Sequence, residues 1–426
     1  MNTSARRIAF EVISDVEFGG AYSNLLLPKR LSDSTLDRRD SGFATELVYG
    51  ALRMKRLLDH FIAQSSNIKL NEIDAKVLVL LELGSYEFLL LKHPAHAVVN
   101  ETVDLAKLVV GKAAATFVNA LLRKIVESCE TIEAISDPGI RFSHPDWIIN
   151  SYRDSLRSEE EVLRLLAANN DAPTPTLLAL PGRATKSELL EAGGEALSDT
   201  DVAVTFKGNP GLIPAIRERR AIVQDRGSQI VVEEFYATAD QQVLRWLDLC
   251  AGPGGKAAYL DSLITDGEFV ANEISIERSK LVAQVVKRGR VINYDGRTLP
   301  SDVGKFDRIL IDAPCTGIGA LRRRPEVRWR RTPRDLGNLR QLQEELLDSA
   351  VGYLNQGGII GYATCSSNLM ETKLQVKGFL QRHPEFSRRR VARADIDGDL
   401  QLWTHRDGTD CMFLALLQKQ GDKVNP

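Results

Sequence analysis

Cysteine is scarce in this chain: five thiols are spread widely and irregularly over 426 residues. Their odd number argues against a disulfide framework, and no Cys-x-x-Cys or Cys/His spacing predicts a bound metal. Long apolar runs are also missing, so no segment is expected to cross a bilayer. The first ten residues show no signal-peptide pattern, and we therefore expect a cytoplasmic protein with no membrane partner.

An excess of charge of either sign is missing as well. The formal net charge is −2, which by itself predicts no nucleic-acid partner. Hydrophobic residues at 43% and charged residues at 26% are typical of a globular protein. Because 426 residues are many for a single core, we expect two or three domains.

The first 140 residues are predicted to be entirely helical. Apolar residues recur there at helical spacing, and short polar or Gly/Pro breaks separate the runs, as in a compact bundle. The run Ile73–Leu91 is the richest in Leu and Val, so we expect it to be the most buried helix. The other predicted helices cover Ile8–Ile13, Leu25–Leu31, Ala44–Ile62, Val98–Val110 and Ala113–Val126.

Several segments of this bundle resemble the NusB-type antitermination fold, a helical module that binds RNA and protein. They are Ala5–Val12, Glu46–Arg53, Glu82–Glu87 and Phe117–Arg123. The resemblance implies that residues 1–140 form an RNA-binding domain. The apolar spacing alone indicates only a bundle.

Residues 141–237 are predicted to form a small α+β subdomain that connects the bundle to the rest of the chain. Helical patterns begin at His144–Trp147 and recur at Glu159–Ala168 and Lys186–Ala192. Strand patterns occur at Thr176–Pro181 and Ala221–Asp225. No arrangement of catalytic residues is visible in this region.

Strands and helices alternate from residue 238 to residue 420, which is the pattern of a doubly wound parallel α/β sheet. The predicted strands are Leu244–Leu249, Phe269–Glu273, Val291–Tyr294, Arg308–Asp312 and Ile359–Ala363, with a closing antiparallel pair at Leu400–Trp403 and Met412–Leu417. The predicted helices are Ala257–Ile264, Ile276–Lys287, Leu336–Leu354 and Leu369–Arg382. Sheets of this kind bind ligands beyond the carboxyl ends of their strands, so the residues there are the candidate site.

A glycine-rich turn follows the first of these strands. It consists of Cys250, Ala251, Gly252, Pro253, Gly254, Gly255 and Lys256. Glycines let a ligand approach the backbone, although dinucleotide sites and plain tight turns share the pattern. The next strands end near Glu273, Asp295 and Asp312, whose carboxylates suit the ribose, adenine amine and cationic end of S-adenosylmethionine. The pyrophosphate of a dinucleotide would be repelled by Asp248 and Asp312.

Two cysteines also follow predicted strands. Cys315 comes shortly after Asp312, and Cys365 follows the strand Ile359–Ala363. A carboxylate and two thiols at the tips of neighbouring strands favour a nucleophilic site. Buried packing is the alternative, since free Cys is among the most buried residue types. It is the favoured interpretation for the remaining thiols, Cys129, Cys250 and Cys411.

Motifs in this region closely resemble the Nop2/Sun family of RNA cytosine-C5 methyltransferases. They are Asp248–Lys256, Asp312–Gly319, Arg322–Glu326 and Thr364–Ser366. The resemblance implies a Rossmann-like fold, S-adenosylmethionine as methyl donor, and Cys365 as the nucleophile that adds to C6 of the cytosine. It further implies that Cys315 assists resolution of this adduct and that Asp312 holds or donates a proton at N3. Glu273 stands where Asp is usual, and the acidic cluster after Cys365 is reduced to Glu371.

The two resemblances together imply methylation of a cytosine in 16S ribosomal RNA. We expect the enzyme to be monomeric. The arginine-rich stretch after Gly319 is predicted to contact this RNA through charge and stacking, although a solvated helix face is the alternative. Its predicted contacts are Arg322, Arg323, Arg324, Arg328 and Trp329. Two other functions stay open: a methyltransferase acting on tRNA, and a non-catalytic RNA-binding or antitermination factor.

Overall fold

The computed structural model describes residues 4–127, 131–239, 244–395 and 397–421, so Cys129 lies outside the described residues. The chain forms two compact units. The helical unit comprises Met1–Arg153, Ser158–Asp171 and Leu321–Arg330, and the sheet unit comprises Asp154–Arg157, Ala172–Ala320 and Arg331–Pro426. Residues 141–237, predicted as one connecting subdomain, are therefore divided between the two units.

The helices and strands are labelled in chain order. The helices are α1 (Ala5–Phe18), α2 (Ser23–Ser32), α3 (Arg38–Ser65), α4 (Ala75–Leu89), α5 (Ala95–Val109), α6 (Lys112–Glu127), α7 (Pro138–Arg141), α8 (Asp146–Leu156), α9 (Glu159–Ala168), α10 (Lys186–Glu191), α11 (Pro214–Arg217), α12 (Arg226–Tyr236), α13 (Gly255–Leu263), α14 (Ile276–Val285), α15 (Val327–Arg330), α16 (Pro333–Tyr353), α17 (Lys373–Arg382) and α18 (Thr404–Asp407). The strands are β1 (Thr176–Ala179), β2 (Glu195–Ala196), β3 (Ala203–Thr205), β4 (Ala221–Val223), β5 (Leu244–Asp248), β6 (Gly267–Asn272), β7 (Arg290–Ile292), β8 (Phe306–Asp312), β9 (Leu354–Thr364), β10 (Phe386–Arg389), β11 (Leu400–Gln401) and β12 (Phe413–Lys419).

The predicted helical bundle of the first region is confirmed. Most residues of α4 are buried, as expected for the run richest in Leu and Val. Asp74 caps this helix by accepting hydrogen bonds from the backbone N–H groups of Lys76 and Val77. The core that surrounds α4 contains apolar side chains of α1, α3, α5 and α6. In the described residues, no helix combines the length and apolar character that crossing a membrane requires.

The arginine-rich segment Leu321–Arg330 is an internal part of the helical unit. Arg328 is fully buried, and its guanidinium donates hydrogen bonds to several oxygen atoms. These are the backbone oxygens of Arg53, Ser143 and Asn169 and Oδ1 of Asn170, at 2.8 to 3.1 Å. Trp329 Nε1 donates to the backbone oxygen of Leu52 at 2.7 Å. The structure contradicts the RNA contact predicted for Arg328, because its guanidinium is buried and its two Nη atoms are hydrogen-bonded inside the unit. The indole N–H of Trp329 is likewise used internally.

Neighbouring residues of the segment are held in the same way. The buried carboxylate of Glu326 accepts a hydrogen bond from Ser23 Oγ at 2.9 Å. The guanidinium carbons of Arg324 and Arg330 each lie 4.9 Å from the ring centroid of Tyr22, which places the ring in cation–π contact with both. Burial, followed by the charge of Arg53, lowers the pKa of Arg328 to about 9, so the guanidinium still carries its charge at neutral pH.

Arg328→Ala should lower the free energy of unfolding by about 3 kcal/mol, because it leaves buried oxygen acceptors without a donor. Arg334→Ala is the matched control, since Arg334 lies on the exposed face of α16 and its loss should change stability by less than about 0.5 kcal/mol. Urea denaturation followed by circular dichroism measures both. Equal stability of the two variants would contradict the stabilising role of the buried Arg328 guanidinium.

A small antiparallel sheet with strand order β2-β3-β1-β4 begins the sheet unit. Side chains alternate across β1: Leu177 joins a local core with Leu189 of α10, whereas Leu178 joins a core that it shares with the large sheet. The small sheet is thus packed against the rest of its unit through one face.

The large sheet has the order β10-β12-β9-β8-β5-β6-β7, and β11 pairs with β12. Strands β5 to β9 are parallel, whereas β10, β11 and β12 pair antiparallel. The chain runs from β5 outward to β6 and β7, then returns to the other side of β5 for β8 and β9. The adjoining carboxyl ends of β5 and β8 are therefore a topological switch point, where open α/β sheets bind ligands.

Helices cover both faces of the large sheet. On β5, Trp246 belongs to the core with α12, α13 and α14, and Leu247 belongs to the core with α16 and α17. The predicted α/β class and the closing antiparallel pair are confirmed. Helix α12 and strand β10 were not predicted, and the helix predicted from Leu369 begins at Lys373 after a 3-10 turn at Leu369–Glu371.

Candidate active site

The glycine-rich turn runs from the end of β5 into α13. Gly254 precedes the helix with a φ of +115°, a conformation that residues with side chains rarely adopt. Gly252 lies against the carboxylate of Glu273, to which its N–H donates a hydrogen bond at 3.0 Å. A Cβ on Gly252 would lie 2.1 Å from Glu273 Oε2, so a larger residue would have to displace the Glu273 side chain. The turn and the end of β6 therefore form one preformed surface.

Two buried polar atoms beside this turn lack a hydrogen-bond partner among the described residues. They are Asp248 Oδ2 and Gln224 Oε1. Gln224 lies next to the start of α13, since a Cβ on Gly255 would be 3.4 Å from its Nε2. Buried polar atoms without a hydrogen-bond partner are uncommon in folded proteins. These two atoms therefore fit a ligand that brings hydrogen-bonding groups to the turn.

An ion pair spans the switch point between β5 and β8. Lys256 Nζ, from the first turn of α13, donates to Asp312 Oδ2 at 2.8 Å. Burial alone would lower the pKa of Lys256, but the neighbouring Asp312 and other anionic groups raise it above its ordinary value, so the ammonium stays charged. Burial, followed by the charge of Asp312, raises the pKa of Asp248 to about 8. At neutral pH the site therefore contains the charged ammonium of Lys256 beside an Asp248 carboxyl group that is largely protonated.

The two cysteines predicted at strand ends are brought together. Cys315 Sγ and Cys365 Sγ lie 3.3 Å apart. The hydrogen bond with Cys365, followed by burial, raises the pKa of the Cys315 thiol well above its usual range, so Cys315 is protonated at neutral pH. Gly319 N donates to the backbone oxygen of Cys365 at 3.0 Å, and a Cβ on Gly319 would lie 2.2 Å from the Cys411 backbone oxygen. The loops that carry the thiols are thus in backbone contact.

Glu371 joins these two loops through its side chain, which is fully buried. Its carboxylate accepts hydrogen bonds from the backbone N–H and hydroxyl of Thr316 and from the hydroxyl of Ser366. Gln343 of α16 donates to the same carboxylate at 3.2 Å and to the backbone oxygen of Pro314 at 2.8 Å. One side chain therefore fixes the residue that follows each cysteine.

The other predicted ligand-binding acid, Asp295, lies after β7 and is paired with Arg297. The Arg297 guanidinium and its backbone N–H donate to the Asp295 carboxylate and hold its pKa below the usual range. Asp295 is only partly buried and remains ionised at neutral pH. Cys250 packs against the core on one face of the sheet, and Cys411 is buried, in line with the packing role predicted for both.

Some residues of the site were missed in the sequence. Thr316 and Ser366 each follow a cysteine directly, and this adjacency was the available signal. Gln343 gave no signal, because it comes from the middle of a long helix whose pattern indicates only an amphipathic surface. The pairing of Lys256 with Asp312 depends on the strand order and could not be inferred from spacing. Among the described residues, no group of three or more His, Cys, Asp or Glu side chains could hold a metal ion.

The large sheet is Rossmann-like, with a glycine-rich turn after its first parallel strand and Glu273 after the next. The Lys256–Asp312 pair lies at the switch point. These features are typical of a Rossmann-like methyltransferase. Comparison with known proteins narrows this class. Residues 236–418 match the family model described as 16S rRNA methyltransferase RsmB/F, and residues 3–127 match the NusB family. The chain belongs to the RsmB/F methyltransferase family.

Relatives extend over nearly the whole chain. A Mycobacterium tuberculosis protein, Rv1407, is 41% identical, over 97% of this chain and 96% of its own length. The ribosomal RNA small subunit methyltransferase B of Salmonella agona is 30% identical, over 97% and 98% of the two chains. A Bacillus subtilis protein named "Probable ribosomal RNA small subunit methyltransferase B" is 31% identical, over 98% and 99%.

Solved structures share the fold. The crystal structure of PH0851 has a TM-score of 0.83 at 22% identity and covers 98% of this chain and 100% of its own. The structure of NSun6 from Pyrococcus horikoshii with SFG has a TM-score of 0.58 at 16% identity and covers 65% of this chain and 99% of its own. At these identities the comparison concerns the fold alone.

Proposed function

We propose that this protein methylates C5 of a cytosine in 16S ribosomal RNA, with S-adenosylmethionine as methyl donor and a covalent adduct between Cys365 and C6. The observation that carries the proposal is the contact of Cys315 with Cys365, 3.3 Å apart at the carboxyl end of the sheet that carries the Lys256–Asp312 pair. The RsmB/F family match and the small-subunit names of the two relatives support the choice of RNA.

The need for a thiol follows from the chemistry of the cytosine ring. C5 is too weakly nucleophilic to take a methyl group, but attack of a thiolate at C6 converts C5 into the carbon of an enamine. Cys365 would form the S–C6 bond, and C5 would then become methylated. In the last stage the C5 proton would pass to a base such as solvent water, the C5–H electrons would form the C5=C6 double bond, and the S–C6 bond would break with its electrons on the Cys365 sulfur. Cys315, which is protonated, would assist by donating its proton to the departing sulfur.

Asp312 and Lys256 would stabilise charge that develops on the ring during attack. When the thiolate adds to C6, negative charge builds up at N3, and a carboxyl group there can hold or donate a proton. The 2.8 Å ion pair with Lys256 fixes the orientation of the Asp312 side chain. Asp312 would then be the group that faces the base.

The methyl donor fits the surface formed by the glycine-rich turn and Glu273. S-adenosylmethionine supplies an electrophilic methyl group when bound. Its ribose hydroxyls and ammonium group can donate to the carboxylates of Glu273 and Asp295 and to Gln224 Oε1. A hydroxyl oxygen of the ribose can accept from the protonated carboxyl group of Asp248. The turn Cys250–Lys256 would hold it through the backbone.

RNA contact is proposed for Arg322, Arg323 and Arg324, which are partly exposed, and no longer for Arg328. The NusB-family region supports a further RNA contact in the helical unit. We further propose that the protein acts as a monomer in the cytoplasm. A non-catalytic factor is disfavoured because Asp312, Cys315 and Cys365 are all present, and a tRNA substrate is the outcome that mapping of methylated sites would reveal.

Calorimetry tests the methyl donor. S-adenosylmethionine should bind and NAD should not, because a pyrophosphate would meet the carboxylate of Asp312 at the end of β8. Glu273→Ala should weaken this binding by at least about tenfold, the loss of one or more charge-assisted hydrogen bonds. Asp302→Ala, an exposed change elsewhere in the sheet unit, should leave it unchanged. Tight binding of NAD without a response to S-adenosylmethionine would refute the assignment.

A further inference from the structure

The buried carboxylate of Glu371 has neutral hydrogen-bond partners only, among the residues that the structure describes. Oε1 accepts from Thr316 N at 2.8 Å and Gln343 Nε2 at 3.2 Å. Oε2 accepts from the hydroxyls of Thr316 and Ser366, the latter at 2.7 Å. Two donors on each oxygen fill the acceptor capacity of the group, and hydrogen bonds to an ionised group are short and strong.

Burying a carboxylate without a cation costs free energy, and neutral donors recover only part of that cost. Stability of the fold therefore does not explain Glu371, since an apolar residue of similar size would stabilise this region as well. Its partners suggest another explanation, because Thr316 and Ser366 directly follow the two cysteines. Glu371 itself is fixed by its backbone oxygen, which accepts from the Tyr362 hydroxyl at 2.9 Å.

Thiol chemistry on a cytosine ring depends strongly on geometry. The attacking sulfur must reach C6 in a near-attack orientation, and a displacement of about 1 Å can cost a hundredfold in rate. The sulfur that assists release must stand close to the same adduct, which the 3.3 Å separation of Cys315 and Cys365 permits. The two thiols lie on loops that follow different strands, so the contacts between these loops set the separation.

We propose that Glu371 is a positioning residue that holds the two cysteine loops in register for attack and for release. The inference rests on the proposed function for its chemical meaning. Its Ser366 contact positions the nucleophile Cys365, and its Thr316 contacts position Cys315. The two contacts therefore serve different steps of one reaction.

Single changes of the partners separate these steps. Ser366→Ala removes the contact beside Cys365 and should slow adduct formation about tenfold or more in single-turnover assays with RNA. Thr316→Val removes the hydroxyl beside Cys315 and should instead slow release, so that a protein–RNA adduct persists on a denaturing gel. If Ser366→Ala and Thr316→Val slowed the same step, either adduct formation or release, the assignment of the two contacts to different steps would be overturned.

Substitutions of Glu371 distinguish a positioning role of its hydrogen bonds from a role of its negative charge. In Glu371→Gln the amide oxygen can accept from Thr316 N and Gln343 Nε2, while its NH₂ group donates to the two hydroxyls, which rotate to accept. This variant should keep its turnover number within about threefold of wild type, whereas Glu371→Ala should lose about a hundredfold with the KM for S-adenosylmethionine unchanged. If Gln is as damaging as Ala, the charge acts and the positioning role is wrong.

A thiol cross-linking assay tests the geometry without any need for methyl transfer. Diamide takes two electrons and two protons from Cys315 and Cys365, becomes the hydrazine, and leaves a disulfide that peptide mapping detects. Formation of this disulfide should be at least about fivefold slower in Glu371→Ala than in wild type and Glu371→Gln. An unchanged rate overturns the inference whether or not the protein methylates RNA. A slower rate in a protein that does not methylate RNA would instead contradict the proposed function alone.

Discussion

Cys365→Ala should abolish methyl transfer, with a loss of more than about a thousandfold, and should form no covalent complex with RNA. Removal of the proposed nucleophile would stop the reaction before the S–C6 bond forms. Binding of RNA and of S-adenosylmethionine should remain, because Cys365 is not expected to hold either ligand. Radiolabelled methyl transfer and a denaturing gel measure the two effects.

Cys315→Ala should instead show a covalent protein–RNA complex on the denaturing gel. Cys365 can still attack C6, but the adduct is not resolved, so a protein–RNA complex should accumulate while turnover falls. Cys411→Ala is the control for general loss of a thiol, since Cys411 is buried and forms no part of the proposed reaction. A trapped complex with Cys365→Ala and none with Cys315→Ala would reverse the two roles. Full activity of both variants would reduce the thiols to packing residues.

Asp312→Asn should lower the rate of methyl transfer by about a hundred- to ten-thousandfold, the usual range for a group that holds or transfers a proton in the transition state. The amide keeps the size of the side chain but cannot donate or hold a proton at N3 in the same way. It also breaks the ion pair with Lys256, whose ammonium lies 2.8 Å away. Asp302→Asn, at an exposed position, should leave the rate unchanged.

The effect of Asp312→Asn on the first step, attack at C6, can be measured separately. Introduced into Cys315→Ala, it should reduce the amount of trapped RNA complex, because proton transfer at N3 accompanies attack at C6. Persistence of the complex at the level of the single variant would place Asp312 after attack and contradict its role there.

Local patterns predicted much of the fold and site. The turn after β5 could be predicted because a run of glycines between a strand and a helix is a local pattern, and Gly254 has the positive φ that glycine readily adopts. Cys315 and Cys365 could be placed together because the ends of parallel strands share one edge of a sheet. Each inference needed only neighbouring residues and one rule of topology.

Burial could not be read from the same patterns. Arg322 and Arg328 look alike in the sequence, yet Arg328 is enclosed by oxygens from distant parts of the helical unit. Glu371 was recognised as an acid near Cys365, but its contact with Thr316 joins residues 55 positions apart in the chain. Such roles depend on tertiary partners, and a local motif does not contain them.

Bisulfite sequencing of ribosomal and transfer RNA, from cells with and without this protein, tests the central claim most directly. Methylation at C5 protects cytosine from deamination, so one cytosine of 16S ribosomal RNA should be protected only when the protein is present. Wild-type protein should restore the protection, and Cys365→Ala should not. Identical maps in both cells, or a lost protected site in transfer RNA alone, would contradict the account.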